Sequence, residues 1–473
     1  MYTEVFGVLC AACVAIRWGQ YAAEQRDHAA PGAAAGSTVK ASGSGSVSGG
    51  ADFGAFQRNY LLVYLLAVAS DWLQGPYVYA LYSSYGYDKA AIGQLFIAGF
   101  GSSALFGTVV GSVADKYGRR SNVLFFALTY GLSCVTKHSP DYNILMVGRV
   151  LGGIATSILF SAFESWLVYE HNKRGYEAAW LSETFSKAQF GNAVVAIAAG
   201  QVAGAAASVG GKVAPFDVSL AVLVLTGLVV AATWTENYGD ATQSVSGGLR
   251  NAWRTIIADE KIVLVGIVQS CFEGAMYTFV FMWTPALQAA SNVTAGAGEI
   301  PHGMIFSTFM VAIMIGSSLF TFLSKQAPEE LFLRNAFAVS VCVFMLATMT
   351  TVLLPVYISF LMFEVVCGIY FPAMATVRSR YVPEETRSAT LNFFRVPLNA
   401  IVVFMLYKNW GTTRVLQLCA LLLVVATSCQ HRLYSVSKVS IPRGDDLEQQ
   451  EERREMIETD EAGMADAIEK VAS

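Results

Sequence analysis

The chain has 473 residues, 54% hydrophobic and only 14% charged, with a mean hydropathy of +0.48. Charge at roughly half the level of a soluble domain excludes one large aqueous fold, because single cores stop growing at about 250–300 residues. A bilayer supplies the missing apolar solvent, and the net charge of −4 hides an acidic end: 441–473 holds eleven acidic and four basic side chains, which leaves the preceding chain at +3.

A bilayer-crossing helix needs about 20 mostly apolar residues. In chain order such stretches lie at 3–18, 60–80, 91–113, 121–138, 143–168, 184–206, 213–233, 260–284, 303–323, 333–354, 356–378, 388–408 and 413–430. The first stands apart as an extra N-terminal transmembrane helix, 1–18, before a linker at 19–59. Residues 31–54 of that linker are dominated by Gly, Ala and Ser and read as a flexible tether. A cleaved signal peptide is the competing reading of 1–18. Its early part carries only Glu4, and Arg17 lies on the wrong flank, so a retained helix is expected. Cys10 and Cys13 form a CxxC inside the apolar run without a second pair or a His cluster nearby, which fits helix packing. No metal and no cofactor is expected.

The twelve remaining spans divide six and six. They form an N-terminal bundle over 60–234 and a C-terminal bundle over 260–430, with a polar cytoplasmic linker at 235–259 and an acidic tail at 431–473 that reads as solubilising. Lysines and arginines set the orientation. With the 19–59 linker in the cytoplasm, the inner loops hold Lys116, Arg119, Arg120, Lys173, Arg174, Arg250, Arg254, Lys261, Arg378, Arg380 and Arg387 among others. The outer loops hold Lys89, Lys137, Lys212, Lys408 and Arg414. Asn292, in the sequon Asn292-Val293-Thr294, falls outside and is a glycosylation candidate. The C-terminus is expected in the cytoplasm.

Short echoes relate the halves. Gly153-Ile154 matches Gly368-Ile369, Ser182-Glu183-Thr184 resembles Ser388-Ala389-Thr390, and Asn192-Ala193-Val194-Val195 resembles Asn399-Ala400-Ile401-Val402. Two parallel six-helix repeats, with substrate near the midplane, characterise the major facilitator architecture. The segment Gly111-Ser112-Val113-Ala114-Asp115-Lys116-Tyr117-Gly118-Arg119-Arg120 resembles that superfamily's signature between second and third helices. Glycines there permit a tight turn, and Asp115 can meet an opposing helix N-terminus and the basic pair. By resemblance the segment is a conformational latch; a plain positive-inside turn, the alternative, requires neither Asp115 nor Gly118. The expected fold is all-α and polytopic: two six-helix bundles plus one extra helix.

Ionisable residues inside spans are costly and therefore functional candidates. The cations are Arg149, Lys187 and Arg395, and the carboxylates are Asp71, Glu164, Glu273 and Glu364. Lys187 and Arg395 fall in the matched fifth helices, where two cations without acidic partners suit an anion. Ion pairing of Lys187 with Glu164, or of Arg395 with Glu364, is the alternative. Asn192, Asn399, Gln74 and Tyr77 add polar groups, the last two aimed inward by a break at Gly75-Pro76. A desolvated carboxylate can take up a coupling proton; structural hydrogen bonding is the alternative for each of the four.

Longer blocks carry a narrower resemblance. They are Asp71-Trp72-Leu73-Gln74-Gly75-Pro76-Tyr77, Leu105-Phe106-Gly107, Val147-Gly148-Arg149-Val150-Leu151-Gly152-Gly153, Phe160-Ser161-Ala162-Phe163-Glu164-Ser165-Trp166 and Glu236-Asn237-Tyr238. The second half adds Phe281-Met282-Trp283-Thr284-Pro285, Gly303-Met304-Ile305-Phe306-Ser307, Gly368-Ile369-Tyr370-Phe371-Pro372 and Leu391-Asn392-Phe393-Phe394-Arg395-Val396-Pro397-Leu398. Together they resemble the eukaryotic molybdate-anion transporters of the major facilitator superfamily. The resemblance implies uptake of a doubly charged tetrahedral oxyanion by alternating access, with a proton as candidate coupling ion, in a plasma-membrane monomer without a nucleic-acid partner. The alternatives are a carrier of sulfate, an organic anion or a sugar, and a transporter-fold sensor that works through the acidic tail. No HExxH, GxSxG or phosphate-cradling loop points to an enzyme.

Overall fold

A computed structural model describes residues 1–29, 47–107, 109–239, 245–294, 299–383, 386–408 and 410–439. Among them no strand occurs. The helices are α1 Tyr2–Ala29, α2 Val47–Gln74, α3 Val78–Ser84, α4 Lys89–Gly107, α5 Val110–Tyr117, α6 Arg119–Thr136, α7 Tyr142–Leu159, α8 Ala162–Lys173 and α9 Ala178–Gly210. They continue with α10 Ala214–Thr233, α11 Val245–Ala258, α12 Glu260–Thr294, α13 His302–Leu323, α14 Glu329–Met349, α15 Leu353–Tyr381, α16 Arg387–Tyr407 and α17 Thr412–Val439. α2 to α10 build the N half and α12 to α17 the C half.

Among the described residues, eleven stretches are long and apolar enough to cross a membrane. The two other expected spans are α6 and α16, whose composition is diluted by Arg119, Arg120 and Asn122 in one and by Arg387, Arg395 and Asn399 in the other. Packing places them: α6 lies against α7 and α10, and α16 against α4 and α12.

Several boundaries differ from the apolar runs, each for a physical reason. α1 continues to Ala29, since a helix extends past its apolar core wherever Ala, Gln, Glu and Arg favour it, and α2 starts at Val47. The remaining tether, 30–46, and the acidic stretch 440–473 lie outside the described residues. The polar 235–259 linker contains α11, which buries Ala252 and Ile256 and sets Trp253 against Phe393 of α16 at 5.8 Å. The expected single span 143–168 is two helices, interrupted at Phe160 and Ser161. Thr156 and Ser157 hydroxyls donate to the Gly153 carbonyl and Ser161 donates to Ser157, and such back-bonding bends helices. The expected break before α3 is a 3-10 turn, Gly75–Tyr77.

Two seams join the halves: α4 with α16, and α9 with α13. Missing side chains make both possible. A Cβ on Gly303 would stand 2.3 Å from the Gly200 carbonyl oxygen, and one on Gly93 would stand 3.1 Å from that of Leu406. Helix α1 packs along α13, with Cys13 against Val311, Met314 and Ile315 and Gln20 donating to the Ser318 carbonyl at 2.7 Å. All eight cysteines are free thiols.

Candidate functional site

Between the seams the halves face one another across a cleft, shut at one end by aromatic side chains. Phe281 of α12 meets Tyr79 at 5.4 Å and Phe96 at 5.2 Å, and Tyr277 meets Phe100 at 5.5 Å. Toward α13, Trp72 meets Phe306 and Tyr77 meets His302. Polar ties reinforce this end: Lys89 Nζ donates to the Trp410 carbonyl, and Lys212 pairs with Glu299. The Lys212 ammonium holds the Glu299 carboxyl below its ordinary pKa. On the N half alone, a recess of about 480 Å³ lined by Arg119, Phe160, Glu164 and Tyr169 opens to solvent.

The three sequence-derived cations do not share one pocket. Arg395 is exposed on α16, with its guanidinium 4.0 Å from where a Cβ on Gly107 of α4 would stand. Among the described residues it donates no side-chain hydrogen bond and forms no ion pair. The Ser157 hydroxyl borders the same Gly107 position at 3.9 Å and lies 3.3 Å from that of Ser103, which Thr156 approaches at 3.4 Å. The guanidinium and the Ser157 hydroxyl thus both border Gly107. Arg149, on α7, packs elsewhere against α4: it lies over the Phe96 ring at 4.8 Å, donates Nε to the Leu95 carbonyl at 3.1 Å and crowds Gly99. Lys187, on the other seam, pairs with Glu183 at 2.6 Å and donates to Gln57 at 2.8 Å. Neither expected internal pair forms: the partner of Lys187 is Glu183 rather than Glu164, and Arg395 does not meet Glu364.

The carboxylates divide as well. Glu273 accepts from the Tyr370 hydroxyl at 2.9 Å and faces Arg378 at 3.9 Å, whose guanidinium also donates to Gln269 at 3.3 Å. Asp71 accepts from the Tyr130 hydroxyl. Glu364 is buried within the C half, and Glu164 borders the open recess. Asn192 accepts from the Trp72 indole at 2.8 Å, so it ties α2 to α9. Asn399 donates to the Arg395 carbonyl one turn back. Gln74 points into the N half, donating to Ser219 at 3.1 Å, instead of toward the cleft; Tyr77 does face the C half. Asn292 is exposed near the end of α12 and accepts from Gln288.

Charge counting assigned Arg378 to an inner loop, but its place is inside α15 beside Glu273. Lys137, counted in an outer loop, is 1% exposed. Glu183 four residues before Lys187 is a readable i,i+4 pair that the apolar surroundings obscured.

In the signature loop Asp115 pairs, as expected, with Arg119 of the basic pair at 2.8 Å, but Glu236 rather than Asp115 occupies the helix N-terminus. Its carboxylate accepts from the Arg120 amide at 2.8 Å, the Ser121 amide at 3.1 Å and the Ser121 hydroxyl at 2.6 Å, capping α6 where anions are favoured. Gly118 makes room with φ +102°, since a Cβ there would lie 2.4 Å from the Glu236 carboxyl carbon. Arg119 donates to the Ser165 carbonyl and Arg120 to Ala231. Gly111 begins this segment, in α5. The block Glu236-Asn237-Tyr238 is therefore the cap of the loop.

Comparison with known proteins agrees with this architecture. Residues 30–368 match the profile of a family described as "Sugar-tranasporters, 12 TM". The chain is 35% identical over 418 residues to a molybdate-anion transporter of Xenopus tropicalis, covering 84% of this chain and 90% of that one. It is also 35% identical over 396 residues to a molybdate-anion transporter of Danio rerio, covering 76% and 80%. Among solved structures, the nucleoside transporter NupG superposes with a TM-score of 0.62 at 13% identity, over 80% of this chain and 98% of that one. This multi-pass integral membrane protein belongs to the molybdate-anion transporter family of the major facilitator superfamily.

Proposed function

We propose that the protein takes up molybdate by alternating access, and that Arg395 is the main contact for the oxyanion. The observation that carries this reading is the exposed Arg395 guanidinium, without an ion pair among the described residues, beside Gly107 of α4 where the Ser157 hydroxyl also lies. A charged, planar donor without an acceptor suits a tetrahedral dianion, which supplies one. Asn399, one turn from Arg395, is held to that helix's backbone and orients rather than binds. Glu273 offers the coupling step: protonation weakens its hold on Arg378, leaving a second guanidinium for the anion.

In this reading the open recess faces the cytoplasm, because the basic loops cluster at that end, and the C-terminus lies there too. The plasma membrane is the proposed residence and a monomer the proposed unit. Tracer molybdate uptake into sealed vesicles, with and without an inward proton gradient, tests the proposal. Saturable uptake, faster with the gradient and competed by tungstate, is expected; uptake of sugar but not molybdate would refute it.

A further inference from the structure

Near the shut end, the N half contains a cation pair that the Arg395 cleft does not use. Lys137 follows α6 and is almost fully buried, yet its Nζ has no hydrogen-bond partner and no ion pair among the described residues. It lies 5.5 Å from the centre of the Tyr82 ring and 3.2 Å from the position a Cβ on Gly148 would take. Arg149, the residue after that glycine, donates Nε to the Leu95 carbonyl. The fully buried Tyr82 hydroxyl faces the Arg149 guanidinium. Neighbouring carboxylates are engaged elsewhere: Asp71 accepts from Tyr130, and Asp217 meets His138 at 2.7 Å.

Two cations around one buried phenol, Lys137 almost fully buried and Arg149 partly so, are unfavourable without an anion. A guanidinium does not shed its proton, and one aromatic face offsets only part of the cost. The ammonium has no acceptor here, and the guanidinium has only one carbonyl and the phenol oxygen. We propose that Lys137, Arg149 and Tyr82 form a binding site for a small inorganic anion, buried in the N half and distinct from the Arg395 cleft. Chloride and a molybdate-type oxyanion share the required chemistry. The site stands or falls independently of which solute crosses the membrane.

Thermal melting of the purified full-length protein in sodium gluconate, in sodium chloride, and in gluconate with added molybdate tests this site. The wild type is expected to melt higher with chloride or with molybdate, and the responding ion identifies the ligand. Lys137→Met should raise the half-effective anion concentration at least about ten-fold, the equivalent of 1.4 kcal/mol, and should melt above the wild type in gluconate alone. Arg395→Ala should keep the full chloride response and, with molybdate, the part that Lys137→Met removes. Should Lys137→Met fail to fold, Tyr82→Phe is expected to weaken the response several-fold. A wild type indifferent to both ions, an unchanged response in Lys137→Met or Tyr82→Phe, or loss in Arg395→Ala of the part that Lys137→Met removes would overturn the proposal.

Discussion

The two halves share a helix plan but treat their buried charges in opposite ways. In the C half, Glu273 faces Arg378, while Glu329 and Glu330 hold Arg380 at 2.9 and 2.7 Å. In the N half, Asp71 takes a tyrosine, and Arg149 and Lys137 find aromatic faces and a carbonyl instead of carboxylates. The loop corners differ too. The N half caps a helix with Glu236 around a glycine, whereas the C half relies on side-chain ion pairs. Pseudo-symmetry thus governs backbone packing and does not extend to electrostatics. The unpaired cations, Lys137 in the N half and Arg395 in the C half, are suited to receive an anion, and the Glu273–Arg378 pair is suited to exchange one partner for another.

The comparison is broken most severely at Gly118. Gly118→Ala forces a side chain into a positive-φ conformation and pushes Glu236 off the α6 N-terminus, a combined loss of about 3 kcal/mol. A clear fall in the melting temperature is expected, and an unchanged melt would show that the corner is loosely built. The paired and unpaired carboxylates can then be set against one another. Glu273→Ala leaves Arg378 half-buried without its carboxylate and should cost about 2 kcal/mol, less than a fully buried pair because Arg378 keeps some solvent. Asp71→Asn still accepts from Tyr130 and should cost about 0.5–1 kcal/mol. Equal losses in denaturant titrations would contradict the contrast between halves.

The smallest effect is a pH dependence at the shut end. Lys212 lowers the Glu299 pKa, so the pair supports closure above the ordinary carboxylate pKa and is lost as pH falls through the lowered value. Glu299 is largely exposed, which limits the contribution to about 0.5 kcal/mol. Labelling of cysteines introduced along the α9–α13 seam should rise slightly at acid pH, and Glu299→Gln should remove that dependence.

Most of the fold was legible because a bilayer demands long apolar runs, and even the polar helices α6 and α16 had recognisable apolar stretches. The break at Gly75-Pro76 was legible because proline removes a donor. The one at Phe160 and Ser161 was not, since serine and threonine bend a helix only through the carbonyls they choose. The candidate site was legible as a set of residue types but not as an arrangement. Arg395, Arg149 and Lys187 look alike in an apolar sequence, and only packing distinguishes an exposed, unpaired guanidinium beside Gly107 from one lying on a phenyl ring or an ammonium paired one turn away. Lys137 and Arg378 were misplaced for a related reason: proximity to a helix end does not reveal burial.

The most direct test compares tracer molybdate uptake by Arg395→Ala and Lys187→Ala with the wild type at matched surface expression. Loss of a charged contact predicts at least about a ten-fold fall for Arg395→Ala. Lys187, half-exposed and already paired, should change uptake by no more than about two- to three-fold. Wild-type kinetics in Arg395→Ala, or a larger loss in Lys187→Ala, would contradict the assignment of Arg395 as the principal oxyanion contact.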